Sequence, residues 1–284
     1  MNQLDAELAA AEARFGDVTP GTEKHIVWGP LGHVRAPWAV IYLHGFTATR
    51  QEIAPLPERV AQGLGGHCFY TRLAGHGRPG AAMAGMTVAQ WQADALEALA
   101  IGQRLGERVL VIAASTGATL AAWAAQQAAG QGVAAWVLLS PNFGPKDPWA
   151  ALMNWAWGRW LVRVATGGMR RSTPSSPQTA PFWTHEYPSV ALFPMMALVR
   201  QVRASALEDI RAPVQVFYSP RDRTINVHQV RAAFARLGSP HKQLIEVNDS
   251  DSVGQHVLAG DLLAPNSTAP LVAQVLAFVA RFVA

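Results

Sequence analysis

The sequence predicts an α/β fold, a mostly parallel central sheet flanked by helices and interrupted by one helical insertion. Three observations lead there. Short, almost continuously apolar runs alternate with helical patterns, as in a sheet whose parallel strands are joined by crossover helices. The alternation stops once, between Ser140 and Leu207. Finally, half of the 284 residues are hydrophobic and only 15% are charged, so a sizeable core is available and disorder is not expected.

The candidate strands are 25–28, 38–43, 67–71, 108–113, 134–139, 214–218 and 243–247. Their near-continuous hydrophobicity suits strands covered on both faces. Between them, apolar residues recur at helical spacing over 51–62, 88–105, 116–128, 227–236 and 271–282. The exceptional stretch opens with Pro141-Asn142-Phe143-Gly144-Pro145 and then turns Trp-rich, with Trp149, Trp155, Trp157 and Trp160. It passes through a Ser/Pro-rich loop at 172–181 and ends in a second helical segment near 190–203. It reads as an insertion, 141–207, within a single domain of 1–284, since strands of one sheet lie on either side of it.

Composition narrows the function. The formal charge is +4 with a pI of about 9.6, and no basic stripe interleaves with aromatics, so nucleic acid is not an expected partner. That small surplus is compatible with transient contact at an anionic lipid surface. Cys68 is the only cysteine, so no intrachain disulfide can form, and within His67-Cys68-Phe69-Tyr70 it reads as a buried, inert thiol. The segment from Met1 to Ala13 is acidic and helical, unlike a secretory leader, and no run reaches the ~20 apolar residues of a membrane span. The expected location is cytoplasmic. His185-Glu186 has no second pair at metal-ligand spacing, and Gly63-Leu64-Gly65-Gly66 follows a helix and precedes a strand, the reverse of a phosphate loop. Neither a metal nor a cofactor is expected, and oligomeric state is not readable.

The chemistry concentrates at strand ends. In Val109-Leu110-Val111-Ile112-Ala113-Ala114-Ser115-Thr116-Gly117-Ala118 a β run stops at a serine that opens a helix, flanked two positions away by Ala113 and Gly117. A sharp strand-to-helix turn exposes such a hydroxyl, and its crowding admits only small flanking residues. The bland alternative is a helix N-cap serine. A serine hydroxyl needs a base, and the base an orienting acid. Asp222, in the loop Ser219-Pro220-Arg221-Asp222-Arg223 after a strand, is the candidate acid, with Asp249 and Asp251 as weaker choices. His256, in the polar loop past the last strand, is the candidate base. Another strand runs into His44-Gly45-Phe46-Thr47, where the Phe46 and Thr116 backbone N–H groups are the candidate oxyanion donors. His44 then packs and shapes the loop, and His76 in Gly75-His76-Gly77 lies in a tight turn.

Together these residues resemble the carboxylesterase and monoacylglycerol-lipase (lysophospholipase-like) branch of the α/β-hydrolase superfamily. The likeness runs over 40–128 and from 214 to about 262. It rests on His44-Gly45-Phe46-Thr47, Arg72-Leu73-Ala74-Gly75-His76-Gly77, Trp91, Ser115-Thr116-Gly117, the Asp222 loop, and His256-Val257 followed by Asp261. Ala113 and Ala118 depart from glycines common at those positions. The resemblance implies an α/β-hydrolase fold, with Ser115 as nucleophile, Asp222 as acid, His256 as base and Phe46 and Thr116 supplying the oxyanion hole. It also implies that 141–207 is a cap (lid) that decides substrate. The expected reaction is cleavage of carboxylic esters of lipophilic, short- to medium-chain acyl groups through an acyl-serine. Trp155, Trp157, Trp183, Phe193, Met195 and Met196 are the expected substrate-binding wall. The same triad also serves acyltransferases, thioesterases, peptidases and carbon–carbon bond hydrolases, and a hydrolase-fold binding module with little turnover is the rival from another class.

Overall fold

The computed structural model describes residues 2–147, 150, 153 and 157–283. Its central sheet contains, among the described residues, seven strands: β1 (His25–Val27), β2 (Ala36–Leu43), β3 (His67–Tyr70), β4 (Gly106–Ala114), β5 (Val133–Leu139), β8 (Val214–Tyr218) and β9 (Lys242–Glu246). Their spatial order is β1-β3-β2-β4-β5-β8-β9. Every pairing is parallel except that of β1 with β3. The inner strands β2, β3, β4, β5 and β8 are the most fully buried, whereas β1 and β9 form the edges.

The hydrophobicity of the inner strands is needed because both faces are covered. Alternate residues of each strand enter different cores. Ile41, Leu43, Val109, Val111, Ala113, Trp136, Leu138 and Val216 pack on the side of α3 (Val88–Leu105), α4 (Ser115–Ala124) and α7 (Val227–Arg236). Val40, Tyr42, Leu110, Ile112, Val137, Leu139 and Phe217 pack on the side of α2 (Leu56–Gly63) and α8 (Pro265–Phe282). The N-terminal helix α1 (Asn2–Ala13) adds Leu4 and Leu8 to the first core and ties itself down through Glu12. Its carboxylate takes two hydrogen bonds from the buried Arg72 guanidinium, at 2.7 and 2.9 Å.

The helices agree with the periodicity where their ends carry signals. α3 begins at a capping box in which the Thr87 hydroxyl accepts from the Gln90 N–H and the Gln90 side chain accepts from the Thr87 N–H. α8 begins six residues before the expected start at 271. Pro265 occupies its first turn, and Pro270, which reads as a breaker, stands inside it.

Between β5 and β8 the chain leaves the sheet. The described part of this excursion contains α5 (Gly158–Thr166), a two-stranded ribbon of β6 (Met169–Arg171) and β7 (Glu186–Pro188), and α6 (Leu192–Ala204). The ribbon has no counterpart in the sequence reading, because three-residue strands on either side of a Ser/Pro-rich loop leave no periodicity to detect. It brings Arg171 to 2.8 Å from Glu186 in an exposed ion pair, which gives the His185-Glu186 pair a structural use. Among the described residues no helix is long and apolar enough to cross a membrane.

Candidate active site

Because β4, β8 and β9 run parallel, the loops that follow them emerge at one edge of the sheet, where open α/β sheets bind their ligands. Ser115 lies immediately after β4, near the middle of the sheet, with φ at +49°. A non-glycine residue in this left-handed region is strained, and such strain persists only when its surroundings hold it. The hold is visible at Gly117. A Cβ there would lie 2.3 Å from the Leu43 carbonyl oxygen and 2.5 Å from that of His44, so only glycine lets α4 start this close to β2. Ala113 is fully buried beneath the turn, whose packing accommodates its methyl group.

The structure brings Ser115, His256 and Asp222 together. The Ser115 hydroxyl lies 2.9 Å from His256 Nε2, and His256 Nδ1 lies 2.8 Å from Asp222 Oδ2. The carboxylate can only accept, which puts the ring proton on Nδ1 and leaves the Nε2 lone pair facing the Ser115 hydroxyl. Asp222 is fully buried, and its other oxygen accepts from the Thr224 and Ile225 N–H groups at 2.7 and 3.0 Å. The His256 carbonyl accepts from the Ser140 hydroxyl at 2.7 Å, which ties its loop to the end of β5.

Asp251, a weaker candidate for the acid, is used elsewhere. It accepts from the Asn266 backbone and side-chain amides in the first turn of α8, at 3.0 and 2.8 Å. His44 is buried, with Nδ1 donating to the Gly45 carbonyl and Nε2 accepting from the Leu73 N–H, so its ring joins the loops after β2 and β3. Burial and the neighbouring His76 push its pKa well below the imidazole range, and burial lowers that of His76 to about 4. Both rings stay neutral at pH 7. Burial also pushes the Cys68 thiol up, well away from thiolate formation.

The loop after β2 packs directly against the serine. A Cβ on Gly45 would lie 3.1 Å from Ser115 Cβ, so a larger residue would push the two apart. Thr116 sits in the first turn of α4, where amides have no intrahelical acceptor. The Phe46 ring packs edge-on against Tyr187, His76 and Trp91, with centroids 5.5, 5.8 and 6.1 Å away. The Thr184 N–H donates to the Thr47 carbonyl at 2.7 Å, so the insertion touches this loop directly.

Sequence reasoning passed over three residues at this edge. Glu52 is buried beneath the loop, and its Oε2 accepts from the Gly45 N–H and the Tyr42 hydroxyl, both at 2.7 Å. Asn142 bridges α4 and α6, its amide donating to Thr116 Oγ1 and Met195 Sδ, both at 3.3 Å. Asp94 accepts from the Ala74 N–H at 2.7 Å. The nearest thing to a signal was a charge or amide inside an otherwise apolar stretch.

The expected substrate-binding wall is not one surface. Met195 is buried near Thr116 through Asn142. Phe193 and Met196 line a cavity of about 370 Å³ with Met86, Val88 and Met153, and Trp183 lines another of about 370 Å³ with Gly77, Pro79 and Phe182. Trp157 is 73% exposed and lines neither. Trp157, the residue that caps the start of α5, follows the same face as Trp160 and Val164 within it, at spacings of three and four, and that face points to solvent. Trp155 lies outside the described residues.

Residues 35–250 match the serine aminopeptidase S33 family. The chain is an α/β-hydrolase of that family. The matched segment of this α/β-hydrolase includes Ser115 and Asp222 and ends before His256. No curated protein matches it. Among solved structures it is similar to one of the metagenome-derived lipolytic enzymes LipS and LipT, at 20% identity and a TM-score of 0.74, covering 93% of this chain and 99% of that one. It is similar to the monoacylglycerol lipase of Paleococcus ferrophilus, at 15% identity and a TM-score of 0.64, covering 90% and 99%. A soluble variant of the monoglyceride lipase of Saccharomyces cerevisiae matches at 13% identity and a TM-score of 0.66, covering 93% of each chain. At these identities the likeness is one of fold.

Proposed function

We propose that this protein hydrolyses carboxylic esters of lipophilic, short- to medium-chain acyl groups, with Ser115 as nucleophile, His256 as base and Asp222 as the orienting acid. The observation that carries the reading is the hydrogen-bonded series from Ser115 Oγ through His256 to Asp222, at 2.9 and 2.8 Å. As Ser115 Oγ attacks the acyl carbon, its proton passes to His256 Nε2, and Asp222 stabilises the imidazolium. The carbonyl oxygen, now negative, takes hydrogen bonds from the Phe46 and Thr116 N–H groups. His256 then protonates the leaving alkoxide and an acyl-serine remains. Water attacks that ester, His256 accepting its proton and returning it to Ser115 Oγ as the carboxylic acid departs.

In this reading 141–207 is the cap, and the part of the acyl wall nearest the serine includes Met195, with Phe193, Met196 and Trp183 in adjoining cavities. The experiment is labelling by a fluorophosphonate, expected once and at Ser115, followed by turnover of p-nitrophenyl esters graded by acyl length. A thioester, an aminoacyl p-nitroanilide and an acyl acceptor serve as comparisons. Faster turnover of the anilide than of every ester would replace the reading with peptidase activity.

A further inference from the structure

The loop that carries the Phe46 N–H is held from below by a buried carboxylate for which the mechanism has no use. Glu52 closes a short 3₁₀ turn, Arg50–Glu52, and is only 4% exposed. Both hydrogen bonds to its Oε2 come from neutral donors, the Gly45 N–H and the Tyr42 hydroxyl, each at 2.7 Å. Burying a carboxyl with neutral partners is costly, and its pKa is raised by burial against the opposing pull of Gly45, Tyr42 and His256. Groups kept at such a cost concentrate at functional sites.

Its placement gives the cost a purpose. Tyr42 is next to the last residue of β2, and the chain then runs Leu43-His44-Gly45-Phe46. Thr47 has φ at +65°, so the loop turns through a left-handed residue directly after Phe46. Backbone bonds hold its far side, from Ala48 N–H to the Gly45 carbonyl and from Thr184 N–H to the Thr47 carbonyl. On the near side the Gly45 amide is bonded by Glu52. The second carboxyl oxygen, Oε1, lies 2.7 Å from the point where a Gly45 Cβ would stand, and Ser115 Cβ lies 3.1 Å from that same point. Glu52, Gly45 and Ser115 therefore meet at the floor of the site, and a displacement of Gly45 by a few tenths of an ångström re-aims the next amide in the chain, that of Phe46.

We propose that Glu52 is the positioning residue of the oxyanion loop, its carboxyl anchoring the Gly45 N–H so that the Phe46 N–H points at the oxygen that becomes negative when Ser115 attacks. This rests on the reading of Ser115 and Phe46 given above. Tyr42 is the brace of that carboxyl. Burial, and after it Glu52 itself, keeps the phenol pKa well above its ordinary value, so it stays a donor. The charged or titratable groups facing Glu52 are Tyr42 from β2 and His256 from the loop after β9.

The test compares Glu52→Ala, which removes the anchor, with Glu52→Gln, which keeps an acceptor for the Gly45 N–H, using p-nitrophenyl butyrate and an alkyl trifluoromethyl ketone that mimics the tetrahedral adduct. Losing one oxyanion donor outright costs about 10²–10³-fold, and a misaimed donor costs less. Glu52→Ala is therefore expected to lower kcat roughly ten- to a hundredfold with KM within about twofold, and to weaken the ketone by a similar factor. Glu52→Gln is expected to restore kcat, and the ketone's affinity, to within about threefold of wild type. Should Glu52→Ala not fold, Glu52→Asp, one methylene short of Gly45, takes its place. Wild-type kcat in the anchor-deficient variant, or a Gln variant as impaired as it, overturns the proposal. Ser115→Ala separates the two levels. If it is inactive while Glu52→Ala is fully active, only the positioning role falls; if it still turns over ester, the reading of the site falls first.

Discussion

The sheet edge and the insertion sit against each other, yet they are built on different rules. At the edge, Ser115 follows β4 directly and Asp222 and His256 stand in loops beyond β8 and β9, and many of the neighbours that hold this edge are backbone groups: the Thr224 and Ile225 amides for Asp222, the Leu43 and His44 carbonyls around Gly117, the Gly45 amide above Glu52. In the insertion, apart from the Thr184 N–H on the Thr47 carbonyl, the contacts near the site run between side chains. Met195 touches Asn142, Phe46 meets Tyr187, and Met83 packs with Tyr187 and Ala191. A backbone scaffold is dictated by turns and strand order, whereas a side-chain scaffold depends on which face of each helix turns inward. The edge should therefore respond to point changes by losing chemistry, and the insertion by changing substrate preference.

The largest effect should come from the edge. Ser115→Ala is expected to lower ester turnover by ~10³-fold or more and to abolish fluorophosphonate labelling, with His256→Ala nearly as severe, because such groups act as a unit. Wild-type turnover in either variant breaks the assignment. Next comes the acid. Asp222→Asn should cost at least ~10²-fold in kcat, since the wrong tautomer of His256 is then favoured. Asp251→Asn should leave kcat within twofold and cost about 1 kcal/mol of stability or less, as expected for a residue at a helix start. Kinetics and thermal melts on the two variants decide between them.

The insertion should answer differently. Each CH₂ buried in an acyl pocket is worth ~0.8 kcal/mol, so kcat/KM should climb about three- to fourfold per carbon until the pocket is full. Met195→Ala and Met196→Ala should move that optimum towards longer chains, whereas Trp157→Ala, on the exposed face of α5, should not. An unchanged optimum in both methionine variants would reduce the segment to core packing.

The smallest effect concerns the loop that bridges the regions. Burial raises the Asp94 pKa to about 6, against the Ala74 amide that pulls it down. The folded state therefore binds this proton more tightly than the unfolded chain does. The associated stability is present below the ordinary pKa near 4 and is lost as pH rises through about 6. Relative to Asp94→Asn, the wild type should lose about 1–2 kcal/mol between pH 4 and 7, allowing for partial exposure. A pH-independent difference in denaturant midpoint between the two would contradict this.

How much of this was legible follows the same division. The central-sheet strands were visible because burial on both faces demands near-continuous apolar runs, and their ends differ from the expectation by one or two residues. Ser115 was visible because its turn restricts three positions at once, and Asp222 and His256 because they follow strands in chain order. Glu52, Asn142 and Asp94 were not, since each acts on backbone or side chains brought close only by the fold. Tyr187 was hidden for the same reason: the three-residue strand that carries it leaves no period.

By itself the sequence determined the periodicities, and with them the sheet, its helices and the loops from which the chemistry hangs. Local sterics and hydrophobic burial act along the chain and need no knowledge of distant partners. Tertiary structure alone decided that the Glu52 carboxylate faces the Gly45 amide and that Asp251 meets the first turn of α8. It also decided that Trp157 and Trp160 of an apolar segment face solvent while its Met195 and Met196 are buried. Those outcomes depend on the packing of elements far apart in the chain, where a rotation of one helix by a single residue exchanges an inward side chain for an outward one.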